Sequence, residues 1–187
     1  MFRVATAEDL PALRDLERNA NLAALGHVFP PERFPFPDDD VLARWALVMA
    51  DPSVTVLVRD HADGGVDDNY DSGHNGGHYG GHNGGRNAGG RGIDVLAAYD
   101  DTTLRHLAVH PRAWGQGLAS TAIDTVLHAM DLRGSTVAQL WCLEENHRAR
   151  RLYEYLGWRA TPDRQEAPWP PHPTEMRYTR LIIASDR

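Results

Sequence analysis

The chain has 187 residues, 42% of them apolar, and a formal net charge of −7. That length suits one domain with a substantial core, and the acidic balance argues against a general attraction to nucleic acid or anionic membrane. No run approaches the roughly eighteen apolar residues of a membrane span, the N-terminus lacks a basic region followed by an apolar one, and the lone cysteine, Cys142, cannot form an internal disulfide, which together predict a cytoplasmic protein.

In chain order, Phe2 to Ala5 alternates as a short strand, and Thr6 with Asp9 forms a capping pair for a helix carrying Leu10, Leu13 and Leu16. Residues 19–36 are less regular: prolines at 30, 31 and 35 forbid a continuous helix and stiffen a loop that displays Phe29, Phe34 and Phe36. Asp38, Asp39 and Asp40 then open a second helix with Val41, Leu42, Trp45, Val48 and Met49 on one face. Acidic residues in a first turn complement the helix dipole, and a grip on a cationic substrate is the alternative.

Val54 to Arg59 is the second strand and Ile93 to Tyr99 the third. An Asp100-Asp101 turn leads into the fourth, Thr102 to Val109. Between strands two and three lies a tract, residues 61–92, holding twelve of the chain's 17 glycines, with His74, His78 and His82 four residues apart. Such a composition cannot bury enough apolar surface to offset its ordering entropy, so a disordered insert in a single domain spanning residues 1–187 is expected. Its histidines lack the cysteine or carboxylate partners of a familiar metal site, so no metal is assigned.

After the fourth strand, Trp114-Gly115-Gln116-Gly117-Leu118-Ala119 turns into a helix whose apolar residues Leu118, Ala122, Ile123, Val126, Leu127 and Met130 recur at three and four. A turn of small residues at a helix start offers free N–H groups and a positive dipole end, a seat for phosphate. A fifth strand, Thr136 to Leu143, leads to Glu144 and Glu145, and Asn146 to Gly157 forms a short helix closed by glycine. Trp158 begins a sixth strand, five prolines make residues 161–173 a stiff extended connection, and the last strand runs over residues 174–183. Cys142 is expected in the core.

Two blocks carry a family resemblance. Val109 to Ala119 reads V-x-P-x-x-x-G-x-G-x-A and Asn146 to Trp158 reads N-x-x-A-x-x-x-Y-x-x-x-G-W. In this order they resemble the GCN5-related N-acetyltransferases (GNAT), strongly over residues 93–160 and in topology elsewhere. The resemblance implies an α/β fold with a mixed, mostly antiparallel central sheet, flanked by helices and splayed between its fourth and fifth strands. It implies an N-acetyltransferase with acetyl-CoA as co-substrate.

By the same resemblance, Leu107, Ala108 and Val109 line the slot for the pantetheine arm, and Trp114, Gly115, Gln116, Gly117, Leu118, Ala119 and Ser120 cradle the diphosphate. Relatives usually carry arginine or glutamine where this chain has Trp114. Arg112 is a candidate to replace that contact, and Arg148 or Arg151 to meet the 3′-phosphate. Tyr153 matches the family's thiol-protonating tyrosine, and Asn146 is either a cofactor contact or only a helix cap. A strand-four amide, Val109, is the oxyanion donor.

The usual strand-four glutamate is missing, which leaves His106, Glu144 or a water relay as general base. Phe29, Phe34, Phe36 and Trp45 are candidates for the acceptor wall, with core packing the alternative for Trp45. The acceptor is expected to be an amine-bearing small molecule or peptide. A homodimer is allowed, since many relatives pair through sheet edges or C-terminal strands. All 19 basic residues are arginine, so the chain has no lysine of its own to acetylate. The competing class is a non-catalytic acyl-CoA-binding module, or a metal-responsive one using the histidine tract.

Overall fold

The computed structural model describes residues 1–61 and 92–182. The glycine- and histidine-rich tract predicted to be disordered lies, but for its two end residues, outside the described residues, as does residue 183 at the end of the predicted last strand.

The elements are β1 (Arg3–Val4), α1 (Leu10–Leu25), α2 (Asp38–Ala50), β2 (Thr55–Asp60), β3 (Ile93–Tyr99), β4 (Leu104–Val109), α3 (Leu118–Leu132), β5 (Val137–Leu143), α4 (His147–Tyr155), β6 (Arg159–Glu166) and β7 (Thr174–Leu181). Strands β1 to β4 form one antiparallel sheet in sequence order, and β5, β7 and β6 form a second in the order β5-β7-β6.

Every residue of β3 is buried, because this strand is covered on both faces. On one face α3 supplies Ala122, Ile123, Val126 and Met130 against Val95, Ala97 and Leu140. On the other, Leu13, Leu16 and Ala20 of α1 and Val41 and Trp45 of α2 pack on Val58, Leu96, Ala98 and Ala108. The alternation of a strand sends Leu107 and Val109 toward α3 and Ala108 toward α1 and α2.

The two sheets meet at one point. Thr103 pairs with Gln139 in parallel, Gln139 N–H donates to the Thr102 carbonyl at 2.8 Å, and the Gln139 side chain donates to Thr103 Oγ1 at 3.1 Å. Among the described residues this is the only strand pairing that joins them. Just beyond it, the β3–β4 register slips so that Ala98 faces His106 while Tyr99 faces Leu104, leaving Arg105 as an extra residue. A bulge bends its strand, so β4 turns away from β5 here. The predicted splay between the fourth and fifth strands is present.

Two sequence expectations change. Helix α1 continues to Leu25 rather than becoming irregular at Asn19, because Ala20 and Leu25 extend the buried stripe of Leu13 and Leu16 and the first proline comes only at residue 30. Residues 161–166, expected as a connection without a ladder, belong to β6. Pro162 is tolerated because β6 pairs only with β7 and its register shifts between Ala160 and Arg164, where a missing N–H costs no bond.

Candidate functional site

The register of β4 decides which main-chain groups face the gap. His110 N–H donates to the Asp94 carbonyl at 2.8 Å, and Leu96 lies opposite Ala108. Alternate residues of an antiparallel pair bond to one another, so the polar groups of Ala108 are directed at β3, while those of Leu107 and Val109 are turned outward, toward β5. Of the three residues expected to line the slot, Ala108 thus commits its main chain to the β3 ladder, and only Leu107 and Val109 turn theirs toward the gap. The outward carbonyl of Val109 accepts a 2.8 Å bond from the Trp114 indole.

Past Val109, a short turn at Pro111–Ala113 leads through Trp114 to Gly115 and Gly117, with φ of +78° and +74°. This left-handed backbone is where glycine carries no side-chain penalty, and a Cβ at either position would meet nothing within 4 Å. Gly117 caps α3, and the Thr121 N–H makes the first return bond, to the Gly117 carbonyl at 3.1 Å. The amides of Leu118, Ala119 and Ser120 precede that bond and have no acceptor within the helix. An anion seated there meets N–H groups and the positive end of a fifteen-residue helix.

Trp114 stands where the related motif has arginine or glutamine, and the structure brings a guanidinium to it. The Arg148 side chain, from the first turn of α4, stacks over the indole at 3.9 Å. Stacking uses the face of the guanidinium and leaves its N–H edge free, and Arg148 forms no ion pair among the described residues. Arg112, the candidate offered for this charge, is engaged by a carboxylate of β3. Its Nε donates to Asp94 at 3.0 Å, and the same carboxylate is 3.1 Å from His61 Nδ1. Burial alone would raise the Asp94 pKa, but those two partners hold it below the ordinary carboxylate range. The Gln116 side chain turns back to the Arg112 carbonyl at 3.3 Å.

Across the gap, Tyr153 of α4 is 7% exposed and packs its ring 6.0 Å from both Trp158 and Tyr178. Burial pushes its pKa well above the ordinary tyrosine value, with the neighbouring Cys142 and Tyr178 acting in the same direction, so it holds its proton at neutral pH. Its hydroxyl makes no hydrogen bond among the described residues. Tyr178, by contrast, donates to Glu154 at 2.9 Å and accepts from Arg150 at 3.2 Å. The Cys142 thiol, buried in β5, is pushed up to about 12 by desolvation, so it is a neutral core group rather than a nucleophile. Asn146 caps α4, its side-chain oxygen accepting from Ala149 N–H at 3.1 Å.

On the other face of β4, His106 sits beside a carboxylate that sequence reasoning missed. Glu17 of α1 is 6% exposed, pairs with Arg44, accepts 2.8 Å from the Trp45 indole and lies 3.6 Å from His106 Nε2. Its signal in the sequence was a glutamate within the apolar stripe of Leu13, Leu16 and Ala20. Trp45 is 1% exposed and stands edge-on to His106 at 5.3 Å, so it is a core residue behind the histidine rather than part of an open wall. Phe29, Phe34 and Phe36 are half-buried. Phe36 packs on the α1–α2 core, with Arg18 over its ring at 6.0 Å, and Arg33 lies over Phe34 at 5.5 Å. The loop bearing these rings reaches over the gap, since His27 at its start donates to the Glu145 carbonyl at 3.0 Å. Glu144, the other candidate base, is held by Arg164 at 2.5 Å.

Among the described residues there is no cluster able to hold a metal ion, and no helix is long and apolar enough to cross a membrane. A sheet parted beside a glycine turn, with unpaired amides on both, defines the acyl-CoA N-acyltransferase class of α/β protein. The sequence profile described as acetyltransferase (GNAT) family matches residues 27–158, and the chain belongs to that family. It is thus an N-acetyltransferase, of a family whose acyl donor is acetyl-CoA.

Solved structures agree on the fold. The ribosomal-protein-S18-alanine N-acetyltransferase of Escherichia coli is 18% identical, with a TM-score of 0.63 over 100% of this chain and 96% of that one. Spermidine N-acetyltransferase from Vibrio cholerae, solved with CoA and spermine, is 15% identical, with a TM-score of 0.61 over 97% and 95%. The PaiA N-acetyltransferase of Thermoplasma acidophilum, in complex with coenzyme A, is 10% identical, with a TM-score of 0.62 over 97% and 98%. No curated protein matches the sequence.

The two buried tyrosines should separate on mutation. Tyr178→Phe removes two hydrogen bonds, one to a carboxylate and one from a guanidinium, and is expected to cost about 1–3 kcal/mol, whereas Tyr153→Phe should change stability by less than about 0.5 kcal/mol. Denaturant unfolding of the two variants measures the difference.

Proposed function

We propose that the chain transfers the acetyl group of acetyl-CoA to a primary amine of a small molecule or peptide by direct attack. The observation that carries this reading is the parting of β4 from β5 immediately beside the amides that open α3. Two of the structural relatives are named for amine acceptors, a ribosomal-protein alanine and spermidine. The net charge of −7 suits a cationic acceptor.

In this reading the turn from Trp114 to Ser120 binds the diphosphate, with Arg148 adding the guanidinium that the motif lacks. The outward amides of Leu107 and Val109 hold the pantetheine arm and meet the developing oxyanion, already oriented before reaction. Bound acetyl-CoA supplies the thioester carbonyl and a thiolate leaving group. An alkyl ammonium, with a pKa of about 10, must lose a proton before its nitrogen can attack.

His106 takes that proton. Burial lowers its pKa, so the imidazole is neutral and able to accept. The amine nitrogen then forms the bond to the acetyl carbon, the carbon–sulfur bond breaks, the Tyr153 hydroxyl gives its proton to sulfur, and the second proton shed by the acylated nitrogen restores the tyrosine through solvent. Asn146, its oxygen committed to the cap, retains an NH₂ group for the cofactor. Phe29, Phe34 and Phe36 form the acceptor wall. A cytoplasmic location fits a free buried thiol, and the edge strand β6 offers a surface for pairing two copies.

Release of the coenzyme A thiol, followed with a thiol reagent across a panel of amines, tests the reaction. Turnover is expected with at least one primary amine, and Tyr153→Phe should lower kcat at least about tenfold with little change in KM for acetyl-CoA. Binding without turnover, indifferent to Tyr153→Phe, would instead identify a non-catalytic acyl-CoA-binding module. Arg148→Ala is expected to weaken coenzyme A about tenfold or more by calorimetry; an unchanged affinity would make it a surface charge.

A further inference from the structure

Beyond the motifs, a buried carboxylate on the first helix faces the catalytic strand. We propose that Glu17 is a positioning residue for His106, forming with it a carboxylate–imidazole pair that orients the general base and stabilises the imidazolium formed when the acceptor ammonium gives up its proton. This rests on the assignment of His106 as base given above.

The geometry of the cluster supports the pair. Glu17 is nearly inaccessible, yet three side chains from two other elements converge on it: Arg44 and Trp45 of α2 and His106 of β4. Burying a carboxylate costs desolvation that a cation and a hydrogen-bond donor must offset, and Arg44 and the Trp45 indole supply them. Both bonds and the His106 contact converge on one oxygen, Oε2. Trp45 also stands perpendicular to the imidazole, with 5.3 Å between the ring centroids, which restricts the plane of the ring.

The imidazole approaches the carboxylate through one nitrogen, at ion-pair rather than hydrogen-bond distance. Its Nε2 faces the carboxylate at 3.6 Å, while its Nδ1 has no hydrogen-bond partner among the described residues. Its side chain is 26% exposed, so the free nitrogen is not sealed in the core. A neutral imidazole whose N–H is directed at a carboxylate presents its lone pair at the other nitrogen. The pair assigns this tautomer to His106, with the proton on Nε2 and the lone pair on Nδ1. His106 immediately precedes Leu107, whose amide is turned into the gap, so the lone pair and the amide donor stand on adjacent residues of one strand.

The charges facing His106 act in opposite directions. Burial opposes its protonation most strongly, Glu17 on α1 favours it, and Arg44 on α2 opposes it. Ala98, facing it from β3, carries no charge. Among the described residues, Glu17 is thus the charge that favours the protonated ring. In the reaction the proton leaves the acceptor nitrogen, binds Nδ1 and passes to solvent after the acetyl group has moved; no redox partner is involved.

A purely architectural tie between α1, α2 and β4 would make different demands. The test is the pH dependence of kcat/KM for the full chain, for Glu17→Gln and for His106→Gln. Activity falls on the acid side as the base becomes protonated, so the midpoint of that limb reports His106. Removing the carboxylate charge should move the midpoint to lower pH by about one unit and lower the plateau kcat about tenfold or more, with KM for acetyl-CoA unchanged. Glu17→Gln should add nothing to the loss already caused by His106→Gln.

The glutamine keeps an acceptor for Trp45, and thermal unfolding checks that the variant is folded. A Glu17→Gln protein with a lower melting temperature but an unmoved acid limb, in the presence of a disabled His106→Gln protein, would overturn the pair and leave His106 as base. Full activity in His106→Gln would overturn both.

Discussion

Strands β4 and β5 are joined by one pairing, at Thr103 and Gln139, and then part. The bulge at Arg105 makes this possible, because an extra residue in β4 redirects the strand while leaving its pairing to β3 intact on either side. The cost is a row of main-chain groups without a strand partner in the middle of the protein, of which the Val109 carbonyl is met by a side chain, the Trp114 indole. Buried main-chain groups without partners destabilise a fold by an amount comparable to a lost hydrogen bond each, so such a row is retained where a ligand completes it. The outward face of Leu107 and Val109 is therefore both a defect of the sheet and its functional edge.

The rest of the structure is arranged around that opening. Helix α3 closes one face of β3 and β4 and directs its amino end at the mouth of the gap, where two left-handed glycines keep side chains out. Helix α4, set by its asparagine cap after β5, carries Tyr153 and Arg148 to the other bank. The Trp114–Arg148 stack thus bridges the segment after β4 and the segment after β5. The indole bond to the Val109 carbonyl ties this bridge to the strand itself. On the opposite face, α1 and α2 enclose the one buried glutamate, and with it the histidine of β4.

Much of this could be read from the chain because it depends on local rules. The three-and-four spacing of α3, the capping asparagine, the Gly115–Gly117 turn and the two motifs all describe segments whose structure is set by near neighbours in sequence. What escaped was set at a distance. The end of α1 depends on how far the sheet beneath it continues to cover Ala20 and Leu25, and β6 tolerates Pro162 only because it is an edge. Arg112 is adjacent to the glycine turn in sequence, but Asp94 on β3 claims it; Arg148, thirty-odd residues away, lies against the turn instead. Trp45 has the composition of a binding wall and the burial of a core residue, a distinction that only packing makes. Glu17 shows itself only as a charge out of place on an apolar helix face.

The most direct measurement of the central claim is a structure of the chain bound to coenzyme A. The diphosphate is expected on the amides of Gly115 to Ser120, and the pantetheine arm between β4 and β5, bonded to the outward groups of Leu107 and Val109. Coenzyme A bound elsewhere, with the two strands hydrogen-bonded to each other along their length, would contradict the account.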